Sequence, residues 1–312
     1  MPLNRRNFLS LSALLSAGTI WQTKASSTQT NLMQIPATFS PIIVATNWGF
    51  EGSTDAFCAK AKAAGYDGIE VWWPTSEASQ QELFQALEKY QLQVGFLTGG
   101  SSSQPEKHLE QFTQMIKAAM LQNRKRPLYI NCHSGKDYFT PVQNQPFIQL
   151  TQQLSAQTGI PVYHETHRGR MLYSAPITRQ YLEQHPELKL TLDISHWCNV
   201  HESLLQDQTE TIQLALNRTG HIHARIGHAE GPQVNDPRAP EWKQAVDQHL
   251  QWWDNVVQNA IARGASQLTF LTEFGPADYL PTLPYSRQPV ANQWDINVYM
   301  LQLIRNRYSA KK

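Results

Sequence analysis

Past the first three dozen residues the chain alternates between two patterns of apolar and polar positions. Short apolar runs of strand length lie at 42–46, 68–73, 93–97, 128–132, 160–165, 188–193, 221–225 and 267–273. Between and after them, helices are expected at 54–64, 79–90, 106–121, 144–157, 176–184, 202–215, 241–263 and 293–308. The clearest is 241–263, where Trp242, Ala245, Val246, His249, Trp253, Val256 and Ile261 recur near helical spacing, with Pro240 near the start and Gly264 just past the end. Strict strand–helix alternation implies a parallel sheet, since parallel neighbours need a crossover connection. Eight units fit a single α/β domain, a (β/α)₈ TIM barrel spanning 36–312, better than an open doubly wound sheet. No glycine-rich fingerprint follows the first run, which argues against a dinucleotide-binding fold.

In such a barrel the chemistry lies at the C-terminal ends of the strands, and four runs end there on a metal-type ligand. They are Val162-Tyr163-His164-Glu165, Leu190-Thr191-Leu192-Asp193, His221-Ile222-His223 and Leu268-Thr269-Phe270-Leu271-Thr272-Glu273. A carboxylate pointing into the mouth is costly to bury unless a cation or hydrogen bonds compensate it. One acid alone would pass as a solvated loop residue, whereas four ligand types from consecutive strands exceed what packing requires. In the seventh run, alternation puts His221, His223 and Arg225 on one face and Ile222, Ala224 and Ile226 on the other. His223 lies nearer the strand end and is preferred as ligand over His221. Oxygen-rich coordination by Glu165, Asp193 and Glu273 with one imidazole suits Mn²⁺, Mg²⁺ or Co²⁺, and leaves Zn²⁺ open.

The flanking loops carry candidates for substrate contact. His196 lies three residues past Asp193, where substrate contact is the first choice beside a ligand or helix-capping role. His167 and Arg168 follow Glu165, and a guanidinium there suits a substrate oxygen. His133, ending the fourth run, and Arg225, on the polar face of the seventh, are further candidates for substrate contact. Trp48, Trp72, Trp73 and Trp197 fall at or just after strand ends, where an indole can cover the C–H face of a sugar. Trp73 is taken as the sugar contact, and ordinary packing is expected for at least two of the four.

Composition narrows the setting. The 312-residue chain is 41% hydrophobic and 16% charged, an ordinary globular balance. Arg5-Arg6-Asn7-Phe8-Leu9 and the apolar stretch after it read as a twin-arginine export signal over residues 1–30, with transient engagement of that export machinery and a periplasmic or exported destination. Removing 1–26 deletes Arg5, Arg6 and Lys24 and no acid, taking the formal charge from +1 to −2. A near-neutral body is not a nucleic-acid binder by bulk electrostatics, and no later stretch is apolar enough to span a membrane. Cys58, Cys132 and Cys198 show no CxxC spacing and are expected as buried thiols.

With Glu165, Asp193-x-x-His196, His-x-His223 and Glu273 in place, the chain resembles the xylose isomerase-like barrel superfamily, the sugar phosphate isomerases and epimerases related to endonuclease IV. The resemblance implies that Glu165 and Glu273 are both metal ligands and the acid/base pair, that Asp193 and His223 complete the metal shell, and that His196 contacts substrate oxygens. The endonuclease variant, with its three-zinc cluster, looks incomplete: the second run ends in Trp72-Trp73-Pro74, and the loop 227–241 has Asp236 followed by Pro237 and Arg238, with no Asp-x-His pair. The expected activity is therefore metal-dependent sugar isomerisation or epimerisation, through proton abstraction alpha to a carbonyl. The alternatives are a keto-sugar or inosose dehydratase or lyase on the same fold, and a non-catalytic carbohydrate-binding barrel.

Overall fold

The computed structural model describes residues 34–310, so the export signal expected at 1–30 lies outside the described residues. In chain order the elements are β1 Ser40–Thr46, α1 Thr54–Ala64, β2 Gly68–Trp72, α2 Glu77–Lys89, β3 Gln93–Gly99, α3 Pro105–Leu121, β4 Ile130–His133 and α4 Pro141–Thr158. They continue as β5 Val162–Glu165, α5 Ala175–Gln184, β6 Leu190–Leu192, α6 Ile194–Val200, α7 Thr209–Arg218, β7 Thr219–His223, α8 Lys243–Ala262, β8 Gln267–Thr272 and α9 Gln293–Tyr308. The eight strands pair in sequence order and close into a barrel. All pairings are parallel, and β1 meets β8 from Ser40 against Gln267 to Ala45 against Thr272.

Helix boundaries follow local chemistry. Ser53 caps α1 through its side chain, and Thr140 with Gln143 forms a reciprocal capping box at α4. Each such cap is worth about 1 kcal/mol, because it satisfies amides the helix itself leaves unpaired. Aromatic residues fill the helix layer, as where Phe112 of α3 meets Phe147 of α4 at 5.2 Å between ring centroids.

The expected helix at 202–215 begins only at Thr209, and a separate short helix, α6, precedes it. The chain turns helical immediately after Asp193, because Trp197 and Cys198 anchor α6 by full burial. Glu202 and Leu205 then adopt positive φ, at 48° and 58°, which no continuous helix tolerates. Strand β6 is correspondingly short, and β7 ends at His223, leaving Arg225 beyond the ladder.

Alternation along the strands divides the barrel interior into two sectors. On one side Ile42 and Val44 of β1 pack with Leu271 of β8 and with Leu128. On the other, Glu70, Asn131, His221 and His223 are buried together and within hydrogen-bonding range of one another. Tyr129 lies beside His221 with centroids 4.1 Å apart, and glycine at 95 makes room for it, since a Cβ there would come within 2.5 Å of the Tyr129 ring. A barrel core normally rejects so much polarity unless a site requires it.

Candidate active site

The polar sector opens at the C-terminal rim. Glu165 ends β5 with its Oε2 accepting from Asn131 Nδ2 at 2.8 Å and from His133 Nε2 at 2.9 Å. His223 ends β7 with Nδ1 2.8 Å from Glu273 Oε2 and 3.7 Å from Glu165 Oε1. None of these three atoms, His223 Nδ1, Glu273 Oε2 and Glu165 Oε1, has a hydrogen-bond partner among the described residues, although all are buried. Buried ligand-type atoms crowded together with no hydrogen bond of good geometry are an arrangement a cation resolves. Asp193, with Glu165 and His223, brings ligand atoms within 4.8 Å of one another. The residues present therefore fit a divalent cation.

Asp193 is also the hub of a second set of contacts. Its carboxylate accepts from Arg225 Nη2 and from the Ser195 hydroxyl, and Arg225 Nε donates to Ser195 Oγ at 3.1 Å. The same guanidinium donates to His196 Nε2 at 2.8 Å and stands 3.6 Å from Glu273 Oε2. It thus ties the carboxylates of β6 and β8 from one side while the imidazole of β7 faces them from another.

The electrostatics express the same crowding. Burial opposes a charge on His223, yet Glu273, Glu165 and Glu70 around it hold its pKa well above the ordinary histidine value. Burial also opposes ionisation of Glu165, but His133 and His223 outweigh it and keep that carboxyl well below the usual range. Burial pushes Asp193 up to about 7 against the pull of Arg225. His196 and His167 are driven well below the ordinary value, first by burial and then by positively charged neighbours.

A cavity of about 220 Å³ adjoins this centre, lined by Trp48, Trp72, His133, His167, Arg225, Glu273 and Tyr279 among others. Of the residues expected to meet substrate, His133, His167 and Arg225 border it. His196 is fully buried behind His167, their ring centroids 3.9 Å apart. Arg168 donates to Asn199 Oδ1 at 3.0 Å and lies over the Tyr279 ring. Trp73 points away, 5% exposed between Phe84 and Phe96, so the indole presented at this strand end is that of Trp72. Trp197 is likewise buried, its indole N–H bonded to the Leu172 carbonyl.

Glu70, Asn131, Ser195 and Tyr279 join the site beyond the residues the sequence suggests. Glu70 Oε1 stands 3.3 Å from His223 Nε2, and Glu70 Oε2 stands 3.2 Å from His221 Nε2, so one carboxylate faces both histidines of β7 from below. The signal was available: alternation in β2 puts Glu70 and Trp72 inward and Val71 and Trp73 outward. Asn131 follows in the same way from β4. Tyr279 carries no such signal, because it lies in the loop between β8 and α9.

A closed parallel barrel with a carboxylate–imidazole cluster at its strand ends defines a class of protein. The chain belongs to the xylose isomerase-like TIM barrel family, whose sequence model matches residues 58–274. No curated protein sequence matches it. Among solved structures, the 3-keto-D-glucoside 4-epimerase YcjR from E. coli superposes with a TM-score of 0.58 at 15% identity, covering 86% of this chain and 100% of that one. The probable 3-DHS dehydratase AsbF, involved in petrobactin synthesis, from Bacillus anthracis gives 0.54 at 18% identity over 86% and 100%. A D-tagatose 3-epimerase-like protein gives 0.53 at 12% identity over 86% and 97%. At these identities the likeness is one of fold.

Proposed function

We propose that the protein is a metal-dependent sugar isomerase or epimerase that removes the proton alpha to a carbonyl and proceeds through an enediolate. The observation that carries this reading is the trio of buried, unpartnered atoms Glu165 Oε1, His223 Nδ1 and Glu273 Oε2. With Asp193 they form a donor set of three carboxylates and one imidazole, suited to Mn²⁺, Mg²⁺ or Co²⁺, with Zn²⁺ admissible. Glu165, Asp193, His223 and Glu273 would hold the ion, which when bound supplies Lewis-acid stabilisation to negative charge on the sugar's carbonyl and hydroxyl oxygens.

The remaining work falls to the chain's own groups. Glu273, which borders the cavity, takes the proton from the carbon alpha to the carbonyl, and the C–H electron pair moves toward the carbonyl oxygen. Glu165, held in place by Asn131 and His133, is the second proton-transfer group. Proton return to the opposite face of the same carbon epimerises the sugar, and return to the neighbouring carbon isomerises it. His133, His167 and Arg225 offer N–H groups to substrate oxygens, while Trp48, Trp72 and Tyr279 cover apolar ring faces and limit water entry. Arg5-Arg6 and the apolar run after them support a site of action outside the cytoplasm.

The test is solvent-deuterium incorporation across a panel of ketoses and keto-glycosides with Mn²⁺- or Co²⁺-loaded protein, repeated after chelation. Exchange that disappears with chelator and returns with metal supports the reading, and absence of exchange in every sugar overturns it. A product that has lost water would assign dehydratase chemistry to the same enediolate.

A further inference from the structure

The cavity beside Glu273 shares a lining residue with another. Trp72 closes it on the β2 side and simultaneously forms the wall of a second cavity of about 440 Å³, set between the loops that follow β2 and β3. The indole is 47% exposed, and it stands edge-on to His133 with centroids 5.3 Å apart, one residue removed from Glu165 through the His133–Glu165 hydrogen bond. Its position depends on glycine at 99, where a Cβ would approach the Trp72 ring to 3.2 Å. An exposed tryptophan that lines two cavities at once is poorly explained by packing, since its neighbour Trp73 already fills the apolar space beneath.

The second cavity has a definite chemistry. Beyond the two indoles its polar groups are the side chains of Thr75, Gln80, Ser101, Gln111 and Gln114, and no charged side chain lines it among the described residues. Gln111 Oε1 is engaged by the amides of Ser101 and Ser102, which leaves its NH₂ to donate outward. Gln80 spends its NH₂ on the Pro74 carbonyl and keeps Oε1 as an acceptor. Uncharged donors and acceptors around an aromatic face suit a neutral, hydroxyl-bearing ring better than a phosphate or carboxylate, whose charge no cationic side chain lining the cavity would balance.

We propose that this cavity is a second sugar subsite, so that the substrate is a neutral glycoside whose reacting ring lies beside Glu273 and whose linked ring lies across Trp72 among Gln80, Gln111 and Gln114. The inference rests on the isomerase reading for the identity of the reacting ring, and on the shared Trp72 wall for the second.

The experiment compares, in metal-loaded full-length protein, kcat/KM for a free keto-hexose with that for the corresponding keto-disaccharide. The expected preference for the disaccharide is at least about tenfold, the scale of one aromatic–sugar contact plus its hydrogen bonds. Trp72→Ala and Ala118→Trp, the latter filling the cavity from the exposed face of α3, should each bring that ratio toward one, with far-UV circular dichroism confirming the fold. A wild-type ratio near one, or a ratio unmoved in both variants, overturns the subsite. If neither sugar reacts or exchanges, the isomerase reading fails, and titration of tryptophan fluorescence with maltose and cellobiose against glucose decides the subsite alone. Saturable, disaccharide-selective quenching abolished in Trp72→Ala supports it, and its absence overturns it.

Discussion

Two groups of buried histidines lie on different strands and helices of one barrel and differ in what meets their ring nitrogens. Outside the barrel wall, His164 has Nδ1 2.7 Å from the Ser134 hydroxyl and Nε2 2.8 Å from the Thr151 hydroxyl. His249 on α8 is likewise satisfied, by the Ala245 carbonyl at 2.8 Å and the Gly227 amide at 3.2 Å. Inside the wall, His221 Nε2, His223 Nδ1 and His196 Nδ1 have no hydrogen-bond partner among the described residues and face carboxylates or other imidazoles. Burial alone therefore does not mark a functional histidine; a ring nitrogen left unsatisfied among opposite charges does. His108 sharpens the rule from the other direction, since its unpartnered Nε2 belongs to a ring packed edge-on against Phe139 and Phe147.

The most severe test of the contrast removes a carboxylate that faces His223. Glu273→Gln keeps the shape of the side chain and abolishes its capacity to take a proton, so solvent exchange into the substrate should fall by about 10³-fold, within the range general acid–base groups contribute. Measured on protein reloaded with Mn²⁺, an unchanged exchange rate would remove Glu273 from the chemistry. Glu165→Gln should behave alike, and the double variant should lose little more than either single one if the two act as a unit.

The structural histidines make the opposite prediction, about stability and not turnover. Burial lowers His249 from 6.5 to about 4, so between those values the unfolded chain binds a proton that the folded chain refuses. Its contribution is present in full above pH 6.5 and is lost progressively as pH falls to about 4, amounting to about 3 kcal/mol. Chemical denaturation across this window should show the slope, and His249→Gln should flatten it by about one proton. His164, lowered to about 3 by burial, extends the same acid loss to lower pH.

How far the sequence carried the reading follows from which periodicity was applied where. Strand–helix alternation was legible because parallel pairing leaves both strand faces buried and helices one-sided, and all eight runs became strands. Boundaries drifted where chemistry cut a run short, as at Asp193, which begins a helix, and at Arg225, which leaves the ladder to reach Asp193. Glu165, Asp193, His223 and Glu273 were legible as strand-end residues of ligand type; the first three offer atoms within 4.8 Å of one another, and Glu273 Oε2 lies 2.8 Å from His223 Nδ1. Trp73 is the sugar contact the sequence suggests, yet alternation in β2 turns Trp72 inward and packs Trp73 between Phe84 and Phe96. Glu70 follows the same alternation: a glutamate between Ile69 and Val71 reads as an interruption of an apolar run until period two turns it inward. Arg225 binding Asp193 and Tyr279 covering Arg225 are contacts between distant segments, and no local pattern encodes them.

Glu70 offers the finest division between the two groups of histidines, because it faces His223, the ligand of the proposed site, and His221 at once. Its Oε1 is positioned to accept a proton from His223 Nε2, which would leave Nδ1 as the lone-pair nitrogen turned toward Glu165 and Glu273. A carboxylate in that position fixes the tautomer and raises the basicity of a coordinating imidazole. Glu70→Gln preserves volume and a hydrogen bond but removes the charge, and its amide can present a donor where an acceptor is needed. Metal affinity, measured by competition with a chromophoric chelator, should weaken by about 10- to 100-fold, as for other groups that orient a ligand without touching the ion. The weakening should persist at alkaline pH, where proton competition at His223 is relieved, because the tautomer and not the proton count has been disturbed. Unaltered affinity in Glu70→Gln would place the carboxylate among the purely structural groups, with His164 and His249, and move the boundary between the two sets of histidines above β2.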